Sequence, residues 1–259
     1  MNKITTLTQR NTLFVGKVFF YFPELPSTND YALDLLSKSK PSEGTLISTD
    51  HQTKGRGQIG SRWESEPGQN ITQSVIFYPT FLPVSQQFQL NKAIALAVRD
   101  CIAKYVEKPV LVKWPNDVYV EESKIAGILI QNSVAGSLLQ SSVAGIGINV
   151  NQAEFAAHLP NPTSVYLQNG SANTPLEDIS NTLCHTLELR YLALRQGQTD
   201  LLHHDYLTYL YRYQQTSIYR RTNDQVLEGK ITGIAEDGRL LITHEDGTEA
   251  FDLKSIAYC

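Results

Sequence analysis

Two rhythms of apolar and polar residues run along this chain. Short apolar runs predict strands: KVFFYF at 17–22, GTLIST at 44–49 and ITQSVIFYP at 71–79, the last closed by Pro79. Between the first two, Ser27, Thr28 and Asn29 precede YALDLLSK, in which Tyr31, Leu35 and Leu36 sit near helical spacing. One of the three polar residues is placed to cap that helix. Residues 85–106 give the clearest helical pattern, with Leu90, Ala93, Ile94, Ala97, Val98, Cys101, Ile102 and Tyr105 on one face. PVLVKWPND then reads as a strand entering a proline turn, VYVEESKIAGILIQ as a hairpin turning at 121–123, and LLQSSVAGIGINVN as further sheet. Helical spacing returns at 177–195, through Leu183, Leu187 and Tyr191, and at 199–213, through Leu201, Tyr206 and Leu210.

From Ile125 to Ala153 no side chain is charged, yet Gln131, Asn132, Gln140, Asn149 and Asn151 interrupt the run. Those amides are costly in hydrocarbon, so the stretch predicts buried strands and not a membrane span. Near Ser217 the pattern shortens to VLEGKITGI, RLLITH and TEAFDL, separated by Asp-Gly at 237–238 and 246–247. Asp-Gly between alternating runs signals tight hairpins. This end reads as a β-barrel of about 40 residues, near the lower size limit for independent folding, and so packed on the larger domain.

Composition narrows the classes. A chain of 259 residues with 41% hydrophobic content can bury a sizeable core, as one large domain or a medium one with an appendage. The net charge of −4 rules out an overall basic field, so any positive potential is local. Cys101, Cys184 and Cys259 lie far apart, with no CxxC and no Cys/His cluster. That pattern supports neither a zinc site nor a disulfide framework, and an odd count without a secretion signal fits the reducing cytoplasm.

Three stretches carry candidate chemistry. QTKGRGQIGSRW at 52–63 combines three glycines with Lys54, Arg56, Arg62 and Trp63. It lacks the GxxxxGK[ST] of a phosphate-binding loop, and GRGQIG, despite its GxGxxG spacing, is followed by neither a strong helical pattern nor a ribose-binding acid. The loop suits an anionic, partly apolar ligand; read alone, it also suits a glycine-rich hairpin with solvated arginines. In KWPND, Asn116 and Asp117 can rigidify the turn, and Lys124 follows at the foot of an uncharged strand. An exposed turn lysine is the commoner reading of such a residue. The glycines of GIGINVN at 145–151 permit close approach to a ligand or simply soften a core strand.

In this order and spacing, Ser27-Thr28-Asn29, QTKGRGQIGSRW, KWPNDVYVEESKIAGIL, GIGINVN and the β-rich tail resemble the biotin protein ligases over nearly the whole chain. The resemblance implies an α/β (α+β) fold: a mixed-sheet catalytic domain over 1–213 and a C-terminal SH3-like β-barrel over 217–259. It implies ATP with Mg2+ as co-substrate, biotin as substrate, and biotinyl-5′-AMP as the intermediate. The acceptor is a lysine of a biotin carboxyl carrier domain of acetyl-CoA carboxylase or a related carboxylase. No metal site of the protein's own is expected. Ser27, Thr28, Asn29 and Gln52 would line the biotin pocket. Gly55, Arg56, Gly57 and Gln58 would form the loop over the adenylate, with Trp63 as its apolar wrap. Lys124 would contact the biotin carboxylate and the α-phosphate, beside Gly127, and Asn149 would lie on the nucleotide side. Arg56 and Lys124 would carry catalysis by offsetting the repulsion between two anions. Asp117 would join them as proton acceptor or orienting group, or serve only the turn.

Two departures bear on the loop: Gln58 and Ser61 stand where family members often carry basic residues. Only 26 residues precede Ser27, too few for a winged-helix domain, so no DNA binding is expected. Neither nucleic acid nor membrane is an expected partner, and the chain would act in the cytoplasm as a monomer or homodimer. The competing readings are a lipoate or octanoate ligase on the same fold, a nucleic-acid-binding module using the Arg/Gly/Trp loop, and a non-catalytic biotin sensor. Lys54, Arg56, Arg62, Lys113 and Lys124 are expected to gather into one positive pocket.

Overall fold

The computed structural model describes residues 3–4, 10–58 and 60–259, so Ile59 of the glycine loop lies outside the described residues. Strands β1 (Lys3–Ile4), β2 (Phe19–Leu25), β3 (Leu46–Gln52), β4 (Ile71–Phe77), β5 (Val110–Lys113), β6 (Asp117–Val120), β7 (Ser123–Ala135) and β8 (Leu138–Ile148) form one mixed sheet. Their order is β1-β2-β3-β4-β8-β7-β6-β5, with β2 and β3 parallel and every other pair antiparallel. The uncharged run from Ile125 supplies most of β7 and all of β8, neighbouring strands in the interior of this sheet.

Helix α1 (Thr28–Lys38) covers one face above Ile47, Ile76 and Val143. Helices α2 (Gln87–Ile102), α4 (Leu176–Arg195) and α5 (Thr199–Thr208) cover the other, and the short α3 (Val165–Gln168) follows β8. Covered on both sides, β4 is buried at every position. Helix α2 is buried around most of its circumference, Lys92, Ala95 and Leu96 included, because it lies between the sheet and the outer helices. The one-faced pattern predicted for it is therefore too narrow, and it ends at Ile102 rather than 106.

The last helix also differs from its pattern. It stops at Thr208, because the backbone beyond it pairs with the edge strand β5: Val112 N–H donates to Tyr209 O at 2.8 Å and Tyr211 N–H to Val112 O at 2.9 Å. Leu202 and Tyr206, four residues apart, take the buried face, whereas Leu201 is half exposed.

Strands β9 (Thr216–Arg221), β10 (Val226–Ile234), β11 (Leu240–His244), β12 (Gly247–Phe251) and β13 (Ile256–Tyr258) form a second, antiparallel sheet in the order β12-β11-β10-β9-β13. Its two Asp-Gly turns fall where predicted, with Gly238 and Gly247 at φ of 94° and 126°, conformations that favour glycine. No helix among the described residues is long and apolar enough to cross a membrane.

Candidate active site

The N-terminus of α1 opens the site. Ser27 is its cap, accepting from Asp30 N–H at 3.3 Å. Thr28 donates to Gln52 Oε1 through its backbone N–H at 2.7 Å and its hydroxyl at 3.1 Å. Asn29 donates from Nδ2 to Gln131 Oε1 at 2.9 Å, and Ser74 Oγ lies 2.6 Å from Asn29 Oδ1 and 2.7 Å from Thr28 Oγ1. All three residues of the Ser-Thr-Asn block are buried, and the side chains of Thr28 and Asn29 are locked in one network through Ser74.

The glycine loop folds back on itself. Arg56 and Arg62 form an isolated antiparallel bridge, and Gly57 N–H donates to Ser61 O at 3.0 Å. A Cβ at Gly55 would fall 2.2 Å from Trp63 O, so only glycine fits there. The Arg56 guanidinium reaches Asp30 on α1 at 2.5 Å, tying the loop to the helix beside the Ser-Thr-Asn block. Trp63 lies inside, against the backbone of Gly127 and Gly147, which face each other across β7 and β8. Its indole N–H is buried without a partner.

Lys124 owes its position to a bulge. The β6–β7 register shifts between Val118 and Tyr119, and Lys124 then pairs opposite Tyr119. The 161–163 segment grips it from the other side: Lys124 N–H donates to Asn161 O at 2.7 Å and Thr163 N–H to Lys124 O at 2.9 Å. Its ammonium meets Asp117 Oδ1 at 2.7 Å, both side chains being only partly exposed.

These elements enclose a cavity of about 200 Å³ lined by Ser27, Thr28, Asn29, Gln52, Arg56, Gly57, Gln58, Trp63, Asp117, Lys124 and Gly127. A second cavity of about 310 Å³ adjoins it and shares Ser61, Arg62, Trp63 and Lys124 as a common wall. Its own lining includes Glu64, Asn149, Phe155, His158 and Pro162, a mixture of polar, aromatic and apolar groups. Asn149 donates to Thr163 O at 2.9 Å and leaves its Oδ1 buried and unpaired. Gly55, with Lys54, lines a more open groove on the outer side of the loop.

Lys113 departs from the expected cluster. Its ammonium lies 4.6 and 4.7 Å from the ring centroids of Tyr119 and Tyr258, and 3.0 Å from the Tyr119 hydroxyl. Burial among the rings pushes its pKa down. Three of the five cations, Arg56, Arg62 and Lys124, line the first cavity; Lys113 and Lys54 do not. Reading the sequence also misses Ser74, Gln131 and Thr72. Ser74 and Thr72 sit in ITQSVIF, a run that reads as core; their only signal is the polar triplet Thr72-Gln73-Ser74 within an otherwise apolar strand.

Comparison with known proteins agrees with this arrangement. The biotin/lipoate A/B protein ligase family matches residues 21–149, and the biotin protein ligase C-terminal domain matches 220–253. The biotin–[acetyl-CoA-carboxylase] ligase of Mycobacterium tuberculosis is 32% identical over 224 residues, covering 83% of this chain and 79% of that protein. The bifunctional ligase/repressor BirA of Bacillus subtilis is 28% identical over 244 residues, covering 91% of this chain and 72% of the relative. A solved biotin protein ligase from Aquifex aeolicus, in complex with biotin and ATP, shares the fold with a TM-score of 0.77 at 24% identity, over 92% of this chain and 97% of that one. Two adjoining cavities, a glycine loop between them and this lysine–aspartate pair are thus set in a matching fold, and the chain belongs to the biotin protein ligase family.

Proposed function

We propose that this chain activates biotin with MgATP and transfers it to a carrier lysine. The observation that carries the reading is the common wall of Trp63 and Lys124 between two adjoining cavities, the first lined by Ser27, Thr28, Asn29 and Gln52. Biotin fits the first, where Ser27, Thr28, Asn29 and Gln52 offer short donors and acceptors to its ureido group. The nucleotide fits the second, with Asn149 on its rim.

The reaction joins at the wall. A biotin carboxylate oxygen forms a bond to the α-phosphorus while the bond to pyrophosphate breaks, giving the mixed anhydride. Lys124 and Arg56 offset the charge of both anions as they approach. Gly55, Arg56, Gly57 and Gln58 close over the adenylate and keep water from it, while Trp63 wraps its apolar part and Gly127 admits the wrap. The neutral amine of the carrier lysine then attacks the carbonyl carbon, AMP leaves, and Asp117 accepts or relays the released proton while orienting Lys124.

The acceptor is a biotin carboxyl carrier domain, that of acetyl-CoA carboxylase being the one named for the Mycobacterium tuberculosis relative. Residues 1–213 form the catalytic domain and 217–259 an SH3-like barrel. The chain acts as a monomer or a homodimer. Free buried thiols at Cys101 and Cys184 suit the cytoplasm.

Acid-dependent pyrophosphate exchange tests the reading, with MgATP, labelled pyrophosphate and biotin, lipoate or octanoate in turn. Exchange with biotin alone is expected. Exchange with lipoate or octanoate alone moves the chain to the sister ligases, and biotin binding without exchange leaves a sensor.

A further inference from the structure

The turn that presents Asp117 is held from outside the catalytic sheet. Trp114, buried and directly before Pro115, donates its indole N–H to Gly238 O at 2.8 Å. Gly238 belongs to the β10–β11 turn of the C-terminal sheet. A Cβ there would lie 2.6 Å from ring atoms of Phe88 on α2, and Phe88 in turn packs edge-on against buried Tyr206 at 5.9 Å. The carbonyl that receives Trp114 is therefore wedged against the core and has little freedom to follow a moving indole.

The neighbouring residue is held the same way, since Lys113 sits over Tyr258 of β13. Downstream, Ile128 N–H donates to Asn116 O at 2.9 Å, which fixes the turn to β7. Between these anchors lie Pro115, Asn116 and Asp117, all on the cavity wall, with Asp117 against Lys124.

We propose that Trp114 is a positioning residue: through its hydrogen bond to Gly238, the C-terminal sheet holds the 115–117 turn so that Asp117 meets Lys124 at the cavity. The inference rests on the ligase reading, and it concerns the geometry of the reaction rather than the identity of the acid. Trp114→Phe keeps an aromatic ring and removes the N–H. Gly238→Ala disturbs the same bond from the other side, by driving a methyl group into Phe88.

The test measures kcat and KM for pyrophosphate exchange, together with the melting temperature, using whichever acid the wild-type chain activates. A failure of the biotin assignment then leaves the comparison of variant with wild type intact. Trp114→Phe is expected to lower kcat by about 10- to 100-fold, the cost of a displacement near 1 Å, with KM for the acid within about twofold. Val226→Thr, on the exposed face of the C-terminal sheet, is the control and keeps wild-type kcat. A Trp114→Phe kcat within about twofold of wild type overturns the proposal. So does a deficit that vanishes when both proteins are assayed far below their melting temperatures, because that marks a loss of folded protein alone. If Trp114→Phe does not accumulate folded, Gly238→Ala decides by the same criteria.

Discussion

Trp63 occupies the space that a side chain on Gly147 would need: a Cβ there would lie 2.3 Å from Cε2 of the indole. The paired Gly127 meets the other edge of the same ring, at 3.1 Å from Cζ3. Two glycines opposite each other in neighbouring strands thus make a flat floor for the one aromatic residue of the loop. Gly147→Ala is expected to expel the indole and reduce exchange at least about tenfold, with a stability loss of about 1–3 kcal/mol typical of overpacking. Intrinsic fluorescence with thermal unfolding checks both, since the chain has only Trp63 and Trp114.

Lys124 and Asp117 should separate by reaction step. Lys124→Met removes a cation from the point where carboxylate and α-phosphate meet, and exchange should fall by about 10²- to 10³-fold, or about 3–4 kcal/mol. Asp117→Asn leaves the cation in place and should cost exchange less than it costs transfer to a carrier peptide. Equal losses in the two steps would show that Asp117 acts only by holding Lys124.

The loop departure at Gln58 gives a third test. Gln58 lines the first cavity and brings no charge to it. Gln58→Arg should slow release of the preformed adenylate about two- to fivefold, as expected for about 0.5–1 kcal/mol from a partly exposed charge pair. A chase of labelled adenylate into a filter-binding assay reads the rate, and an unchanged rate would place retention entirely on Arg56 and Lys124.

Lys92 makes a pH-dependent prediction remote from the site. It is buried between α2 and α5, its ammonium 2.9 Å from Nδ1 of His203, and desolvation lowers its pKa to about 8. In the unfolded chain the group titrates near 10.5. Below pH 8 it is protonated in both states, so the native state bears the whole burial penalty, about 3 kcal/mol. Between pH 8 and 10.5 the native state has released the proton and the unfolded state retains it, so this contribution to stability rises with pH. Lys92→Met should therefore stabilise the protein most near pH 7, by about 1–3 kcal/mol, and its advantage should shrink towards pH 10. Urea unfolding of both proteins at pH 7, 8.5 and 10 measures the trend, and an advantage independent of pH would refute it.

What was legible in the sequence is what short-range chemistry dictates. The Asp-Gly hairpins, a helix cap within Ser27-Thr28-Asn29 and the strands of the uncharged run follow from local backbone preference and pattern, although the choice of Ser27 among the three came with the structure. The glycines at 55, 57, 145 and 147 announced close approach, and the order of the motif blocks announced the family. Neither said what approaches: Gly145 lies under Asn29, and Gly147 under Trp63.

Only the tertiary structure decided the fate of residues whose type fits two environments. Lys113 and Lys124 flank Asp117 in sequence, yet one reaches the cavity and the other a group of tyrosines that includes Tyr258. That tyrosine lies far along the chain and arrives only when the C-terminal sheet packs. Leu201 and Leu202 are equally apolar, and the line of contact through Tyr206 chose the second. Ser74 reads as a minor polar residue in a core strand; it joins the site because β4 runs beneath the first turn of α1. Period and composition constrain which residues can be buried or charged, whereas partners distant in sequence meet only through the packing of whole elements.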